Sequence, residues 1–194
     1  MLAILAAALA AAASASLTQA YADLCLAGNP AADEVLRRAD RAGWRKEGPG
    51  RPSAFDPGSD RFLVTPAGTL RLSTERKAFN DEELQGCAID TTAAEPGVIA
   101  AMAGLLGVPA ALSAPNVADF FAIREAAGWR NGARSDRAEV ARARATGSYY
   151  SFIVSRTPNS ATVVGMHFVP LAGGQGAISG GTAARGSRGP RPSE

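Results

Sequence analysis

Apolar and polar positions follow two periods along the chain, and a helical period comes first after the N-terminal segment. Asn29-Pro30 is predicted to begin a helix, because Asn is a favoured N-cap and Pro suits the first helical position. Apolar side chains over residues 35–39 form one stripe of this helix. Gly43 is predicted to end it in the left-handed conformation, with Trp44 placed to fold back on the last turn.

Alternation with a period of two predicts two hairpins and one further strand. The predicted strands cover residues 61–65, 69–73, 86–90, 148–155 and 161–169. Turn-forming residues separate the members of each hairpin, namely Pro66-Ala67-Gly68 and Thr157-Pro158-Asn159. The second hairpin has the greater apolar density, and we therefore expect it at the centre of the sheet.

Three more segments are predicted to be helical. Residues 96–106 form a helix that Gly107 ends, and a third helix begins at Pro115-Asn116 and carries the aromatic residues that follow. Residues 135–146 are predicted as a short surface helix. Together the elements predict an α+β fold: a small antiparallel sheet of about five strands (two hairpins plus one strand), packed with three to four helices and held by one disulfide.

The first 20 residues are predicted to be a cleaved signal peptide. Residues 2–13 are all apolar, and the polar stretch after them ends the run before the roughly 20 residues that a membrane-spanning helix needs. Small residues with the spacing that signal peptidase requires occur at Ala13/Ala15, Thr18/Ala20 and Ala20/Ala22. We favour cleavage after Ala20. The alternative is a buried or anchoring N-terminal helix.

Residues 21–171 are then predicted to form one domain, and the tail of residues 172–194, rich in Gly, Arg and Pro, is predicted to be disordered. Before the tail the chain carries 17 basic and 17 acidic side chains, so no net charge draws it to nucleic acid or to an anionic membrane. We expect a periplasmic or secreted protein. We expect its partner to be an unidentified envelope or extracellular component. We expect the protein not to bind nucleic acid and, after cleavage, not to insert stably into a membrane.

The chain has two cysteines, Cys25 and Cys87. Two thiols in a small exported domain usually pair, so we predict a disulfide that closes a loop of 62 residues. A metal pair or a redox centre is the alternative. Neither suits two cysteines so far apart in a sequence that has no CxxC motif and only one His.

A four-residue motif occurs twice, as Ala42-Gly43-Trp44-Arg45 and as Ala127-Gly128-Trp129-Arg130. Each copy is predicted to end a helix and to precede a hairpin. The motif therefore suggests two related units, with coincidence in a chain rich in Ala, Gly and Arg as the alternative. The Trp pair is interpreted as packing over Gly-capped helix ends, and a twin aromatic binding surface is the functional alternative.

The order of these features resembles short exported proteins of unknown function from alphaproteobacteria. The shared features are a leader, an early Cys25, a helix that ends in Gly-Trp, a Gly-turned hairpin, a strand with Cys87, and a helix that ends near Leu-Gly. The resemblance covers residues 25–169. It implies no activity and no catalytic residue.

Residues that could carry chemistry are few. His167 is the one His, and it lacks a Gly-x-Ser-x-Gly motif to act with, so we interpret it as exposed or satisfied. The carboxylates at residues 81–83 follow Asn80 and are interpreted as the start of a helical turn. Asp56 and Asp60 lack the ligand spacing of a calcium loop, and the glycines of the tail do not form a dinucleotide fingerprint.

The sequence thus predicts a binding domain of the periplasm or cell envelope, without a catalytic, metal-binding or cofactor-binding residue. Gly43, Trp44, Gly128 and Trp129 are predicted to be structural. The alternative function is a small cell-envelope hydrolase that uses His167 with a Ser from the adjacent hairpin.

Overall fold

The structure is a computed structural model, and it describes residues 16–28, 31–48, 57–79 and 81–171. The described α-helices are α1 (Leu17–Tyr21), α2 (Ala32–Arg41), α3 (Val98–Leu106) and α4 (Arg137–Ala145). A π-helical turn, Ala22–Leu26, continues α1, and two short 3-10 turns lie at Pro57–Ser59 and Gly132–Arg134. None of the described helices combines the length and the hydropathy that a membrane-spanning segment needs.

In the described part of the chain, eight strands form a single antiparallel sheet in the order β1-β2-β3-β8-β7-β5-β4, and β6 pairs with β5 beside this path. Their bounds are β1 (Arg61–Thr65), β2 (Gly68–Phe79), β3 (Glu82–Thr91), β4 (Leu112–Ala114), β5 (Val117–Glu125), β6 (Gly128–Asn131), β7 (Tyr149–Thr157) and β8 (Ser160–Pro170). The hairpin of β7 and β8 lies in the middle of this order, as its apolar density predicts. The fold is α+β.

The prediction of a small sheet of about five strands is wrong, because the sheet has eight. The five predicted strands lie within β1, β2, β3, β7 and β8, and the missing ones are β4, β5 and β6. The segment predicted as a third helix is β5, which forms a two-residue hairpin with β4 at Pro115-Asn116. Its Phe120, Phe121 and Ile123 are residue types that strands favour, and Pro-Asn suits a turn as well as a helix start.

Other predicted elements agree more closely with the structure. The helix predicted over residues 96–106 is α3, and Gly107 ends it with a left-handed φ of 63°. The helix predicted over residues 135–146 is α4, with the carboxylate of Asp136 accepting a hydrogen bond from the Glu139 backbone at 2.8 Å. The carboxylates interpreted as a helical turn instead lie where β3 begins. Four features of the sequence analysis lie outside the described residues: the predicted N-cap at Asn29-Pro30, the carboxylate of Asp56, the residue Asn80, and the tail of residues 172–194.

Helices α1, α2 and α3 pack on one face of the sheet, here called the covered face. Strand alternation places residues 150, 152 and 154 of β7 and residues 161, 163, 165 and 167 of β8 on this face, and all of them are buried. Four helical residues pack against them and are each less than 2% exposed: Leu17, Tyr21, Val98 and Met102. The hydrophobic core therefore lies between the helices and the covered face.

The opposite face of the sheet, here called the outer face, is less completely buried. Residues 164, 166 and 168 of β8 are half-buried there, and Ile153 of β7 is 38% exposed. Helix α4 lies against one end of this face, where the guanidinium carbon of Arg144 stands 4.4 Å from the ring centre of Phe168. The two faces thus differ in how far their apolar side chains are shielded from water.

The predicted disulfide between Cys25 and Cys87 is confirmed. Cys25 lies on the π-helical turn and Cys87 on β3, with Cα atoms 6.0 Å apart. The bond joins the N-terminal segment to the sheet next to the hydrogen bond that Tyr21 donates to the Cys87 carbonyl at 3.4 Å. The N-terminal segment is therefore covalently part of the core.

Reduction of this disulfide is expected to lower the free energy of unfolding by at most about 4 kcal/mol, because a closed 62-residue loop limits the unfolded chain. Denaturant unfolding with and without a reductant measures the effect. The Cys25→Ala/Cys87→Ala variant is the control and should not respond to the reductant. Equal unfolding midpoints of the oxidised and reduced wild-type protein would contradict a stabilising role.

Candidate functional site

The first Gly-Trp pair lies at the end of α2. Gly43 has a left-handed φ of 85°, and the Trp44 backbone donates a hydrogen bond to the Ala39 carbonyl at 3.0 Å. Trp44 is 6% exposed and belongs to the core, and the next residue, Arg45, pairs with Phe62 of β1. Its indole therefore offers little surface to a ligand.

The second pair lies on β6 and not after a helix. Gly128 has a φ of 139° at the start of β6, and the Trp129 ring packs edge-on against Tyr150 and Phe152 of β7. The guanidinium carbon of Arg124 lies 4.6 Å from the Trp129 ring centre. The two motifs thus occupy different local structures, one after a helix and one in a hairpin.

His167 lies on the covered face of β8. Its ring stacks on Tyr150 with the ring centres 4.4 Å apart, and only 8% of the residue is exposed. It borders a cavity of about 20 Å³, room for about one water molecule, together with Tyr21, Cys87 and Gly165. Burial lowers the pKa of His167 to about 4, so the imidazole is neutral at pH 7.

The geometry around His167 does not assemble the dyad that a hydrolase would need. Among the described residues that line the small cavity beside the ring, none carries a carboxylate or an aliphatic hydroxyl. Ser151, on the adjacent strand β7, points to the outer face, whereas His167 points to the covered face. The described ranges also hold no group of three or more His, Cys, Asp or Glu residues that could bind a metal ion.

A second pocket, of about 230 Å³, lies on the outer face beside α4 and is here called the outer groove. A pocket of about 280 Å³ between the end of α2 and β1 is larger, but polar and apolar atoms line it about equally. Residues from three neighbouring strands and α4 border the outer groove: Leu84, Arg144, Tyr149, Ser151, Met166, Phe168 and His167, of which His167 has its side chain on the covered face. Cross-strand register explains the cluster, because Leu84 pairs with Phe168 and Ser151 pairs with Met166. The groove is therefore built on paired strands at the centre of the sheet.

Helix α4 supplies one wall of the outer groove. Arg144 lies over the Phe168 ring and donates a hydrogen bond to the Glu82 carboxylate at 2.7 Å. Ala143 is buried, and Gly147 ends the helix with a φ of 68°, so the chain can turn directly into β7. The Glu82 carboxylate thus pairs with one terminal nitrogen of the Arg144 guanidinium, whereas the buried Nε of Arg144 has no hydrogen-bond partner among the described residues.

The sequence did not indicate this groove. The apolar density of the second hairpin predicts a central place in the sheet, but Met166 and Phe168 face outward and are half-buried, while His167 between them is buried on the covered face. The signal that could have found the groove is the period-two alternation itself, which puts Met166 and Phe168 on one face and His167 on the other. Which face the helices cover does not follow from that alternation.

Comparison of the chain with protein-family models, with curated proteins and with solved structures finds no match in any of the three. The resemblance to exported alphaproteobacterial proteins therefore stays an expectation.

The buried His167 is expected to make stability depend on pH. Its pKa is about 4 in the folded protein and about 6.5 when unfolded, so below pH 6.5 the unfolded chain binds a proton that the folded chain does not. This contribution to stability is complete above pH 6.5 and is lost as the pH falls towards 4, by at most about 3.4 kcal/mol.

His167→Phe keeps an aromatic ring but cannot titrate. Unfolding of the variant and the wild type, measured by denaturant at several values between pH 4 and 7.5, should give a steeper fall of stability for the wild type. Parallel pH profiles would show that His167 is not held neutral by the fold.

Proposed function

We propose that this protein is an exported, disulfide-stabilised binding domain of the periplasm or cell envelope, and that the outer groove binds a small, uncharged apolar ligand. The ligand class is a single or fused aromatic ring system or a short acyl chain. The observation that carries the proposal is an open pocket of about 230 Å³ lined by Leu84, Tyr149, Met166 and Phe168.

Export is supported by two features of the chain. The apolar run over residues 2–13 has the length and the following small residues of a secretory leader. The disulfide between Cys25 and Cys87 fits a compartment that is oxidising, since cytoplasmic thiols are kept reduced. Both features favour the periplasm or the outside of the cell.

The size of the groove sets the size of the ligand. A closed apolar cavity of about 150 Å³ holds one benzene ring, so a groove of about 230 Å³ has room for one or two rings. This volume is below the usual range for drug-sized ligands, which starts at about 300 Å³. The ligand, or the part of it that enters the groove, is therefore small.

The charge of the groove decides between a neutral and an anionic ligand. Arg144 is the cationic side chain in the lining, and its guanidinium is engaged with Glu82 at 2.7 Å. An anion would have to displace that carboxylate or face it closely. A neutral apolar ligand gains from burial against Met166 and Phe168 without breaking the pair.

Two fluorescent probes test this proposal, N-phenyl-1-naphthylamine and its sulfonated relative 1-anilinonaphthalene-8-sulfonate; of each probe, the two-ring naphthyl group is the part for which the groove has room. They share the same ring systems and differ by one negative charge. The neutral probe is expected to bind the purified protein at least about tenfold more tightly, a difference of about 1.4 kcal/mol. Stronger binding of the anionic probe would contradict the assignment of a neutral ligand.

A matched pair of variants places the probe in the outer groove. Ser151→Phe fills the groove, whereas Ser155→Phe puts the same ring on the same strand and face, outside the groove. We expect Ser151→Phe to weaken binding of the neutral probe at least about tenfold, roughly 1.4 kcal/mol, and Ser155→Phe to leave it unchanged. Unchanged binding to Ser151→Phe, or equal loss in both variants, would count against this site.

A further inference from the structure

The folded domain begins before the position at which the sequence favours cleavage. Ser16 is the N-cap of α1, and its hydroxyl accepts a hydrogen bond from the Gln19 backbone at 3.2 Å. The Leu17 backbone donates a hydrogen bond to the Glu95 carboxylate at 3.3 Å, and Leu17 is fully buried. The folded domain therefore includes the chain from Ser16 onward.

The rest of α1 is equally part of the core. Ala20 is 7% exposed and Tyr21 is 1% exposed. Cleavage after Ala20 would remove Leu17 and Ala20 from this packing and would leave Tyr21 as the first residue. A leader that is discarded has no reason to supply core side chains, so the boundary between leader and domain is expected ahead of Leu17.

A suitable peptidase sequence lies at that boundary. Ala13 and Ala15 occupy the third-last and last positions before the bond between Ala15 and Ser16, where signal peptidase requires small residues. The apolar run ends at Ala13, so the bond follows it closely. Sequence and packing therefore agree on one position.

We propose that the leader is removed between Ala15 and Ser16, and that Ser16 is the first residue of the mature protein. The proposal rests on the export part of the proposed function and is independent of the outer groove. It replaces the expectation of cleavage after Ala20. The amino group that cleavage creates on Ser16 lies one residue from the hydrogen bond between Leu17 and Glu95, so its positive charge is close to a carboxylate.

N-terminal sequencing and intact-mass measurement of the full chain, expressed with its own leader and recovered from the periplasm of a bacterial host, test the proposal. A mature N-terminus at Ser16 is expected. A start at Tyr21 would overturn the cleavage site while leaving export intact, whereas a chain that keeps Met1 in the cytoplasm would overturn export as well. The probe titration of the outer groove is unaffected by either result.

A matched pair of variants separates the two candidate bonds. Ala15→Leu places a bulky residue directly before the peptide bond between Ala15 and Ser16. Thr18→Leu places one at the third-last position before the peptide bond between Ala20 and Tyr21. We expect Ala15→Leu to reduce the yield of the Ser16 form at least about tenfold and Thr18→Leu to leave it unchanged. The reverse pattern, with precursor accumulating only in Thr18→Leu, would assign cleavage to Ala20.

Discussion

Tyr21 packs against Gly165, and the rest of the structure depends on that contact. A Cβ atom on Gly165 would overlap the Tyr21 hydroxyl oxygen and would come within 2.8 Å of the Phe152 ring. Because glycine has no side chain, the phenol of Tyr21 can lie directly on β8 and donate a hydrogen bond to the Cys87 carbonyl. Burial of this phenol raises the pKa of Tyr21, so it stays protonated and keeps its donor.

This contact determines how the two faces of the sheet differ. Because α1 packs on β8, Cys25 lies close enough to Cys87 to form the disulfide. His167 borders the small cavity beside these two cysteines. Helices α2 and α3 complete the cover on the same side. Among the described helices, α4 packs on one end of the outer face, and the outer groove is the space between that helix and the strands.

Local patterns were sufficient to predict much of this fold. The alternation of residues in β7 and β8 and the Gly107 stop of α3 are signals that lie within a few neighbouring residues. The disulfide followed from the count of cysteines and the expected compartment. Strand β5 was mistaken for a helix because its Pro-Asn start and apolar residues fit both structures, and pairing with β4 and β7 decides between them.

The features that the sequence did not predict depend on contacts between residues distant in sequence. Nothing near Gly165 indicates that it faces Tyr21, which is 144 positions earlier in the chain. The outer groove likewise combines α4 with strands β3, β7 and β8, and alternation alone does not say which face the helices leave open.

A double-mutant cycle tests the contact between Tyr21 and Gly165 most directly. Free energies of unfolding would be measured for the wild type, Gly165→Ala, Tyr21→Phe and the double variant, with Gly86→Ala as the control, since its Cβ would meet nothing closer than 3.4 Å. We expect Gly165→Ala to cost about 1–3 kcal/mol through overpacking. In the Tyr21→Phe background that cost should fall by about 1 kcal/mol, while Gly86→Ala and Tyr21→Phe add independently. A Gly165→Ala protein as stable as the wild type, or a loss that does not change when the Tyr21 hydroxyl is removed, would contradict this account.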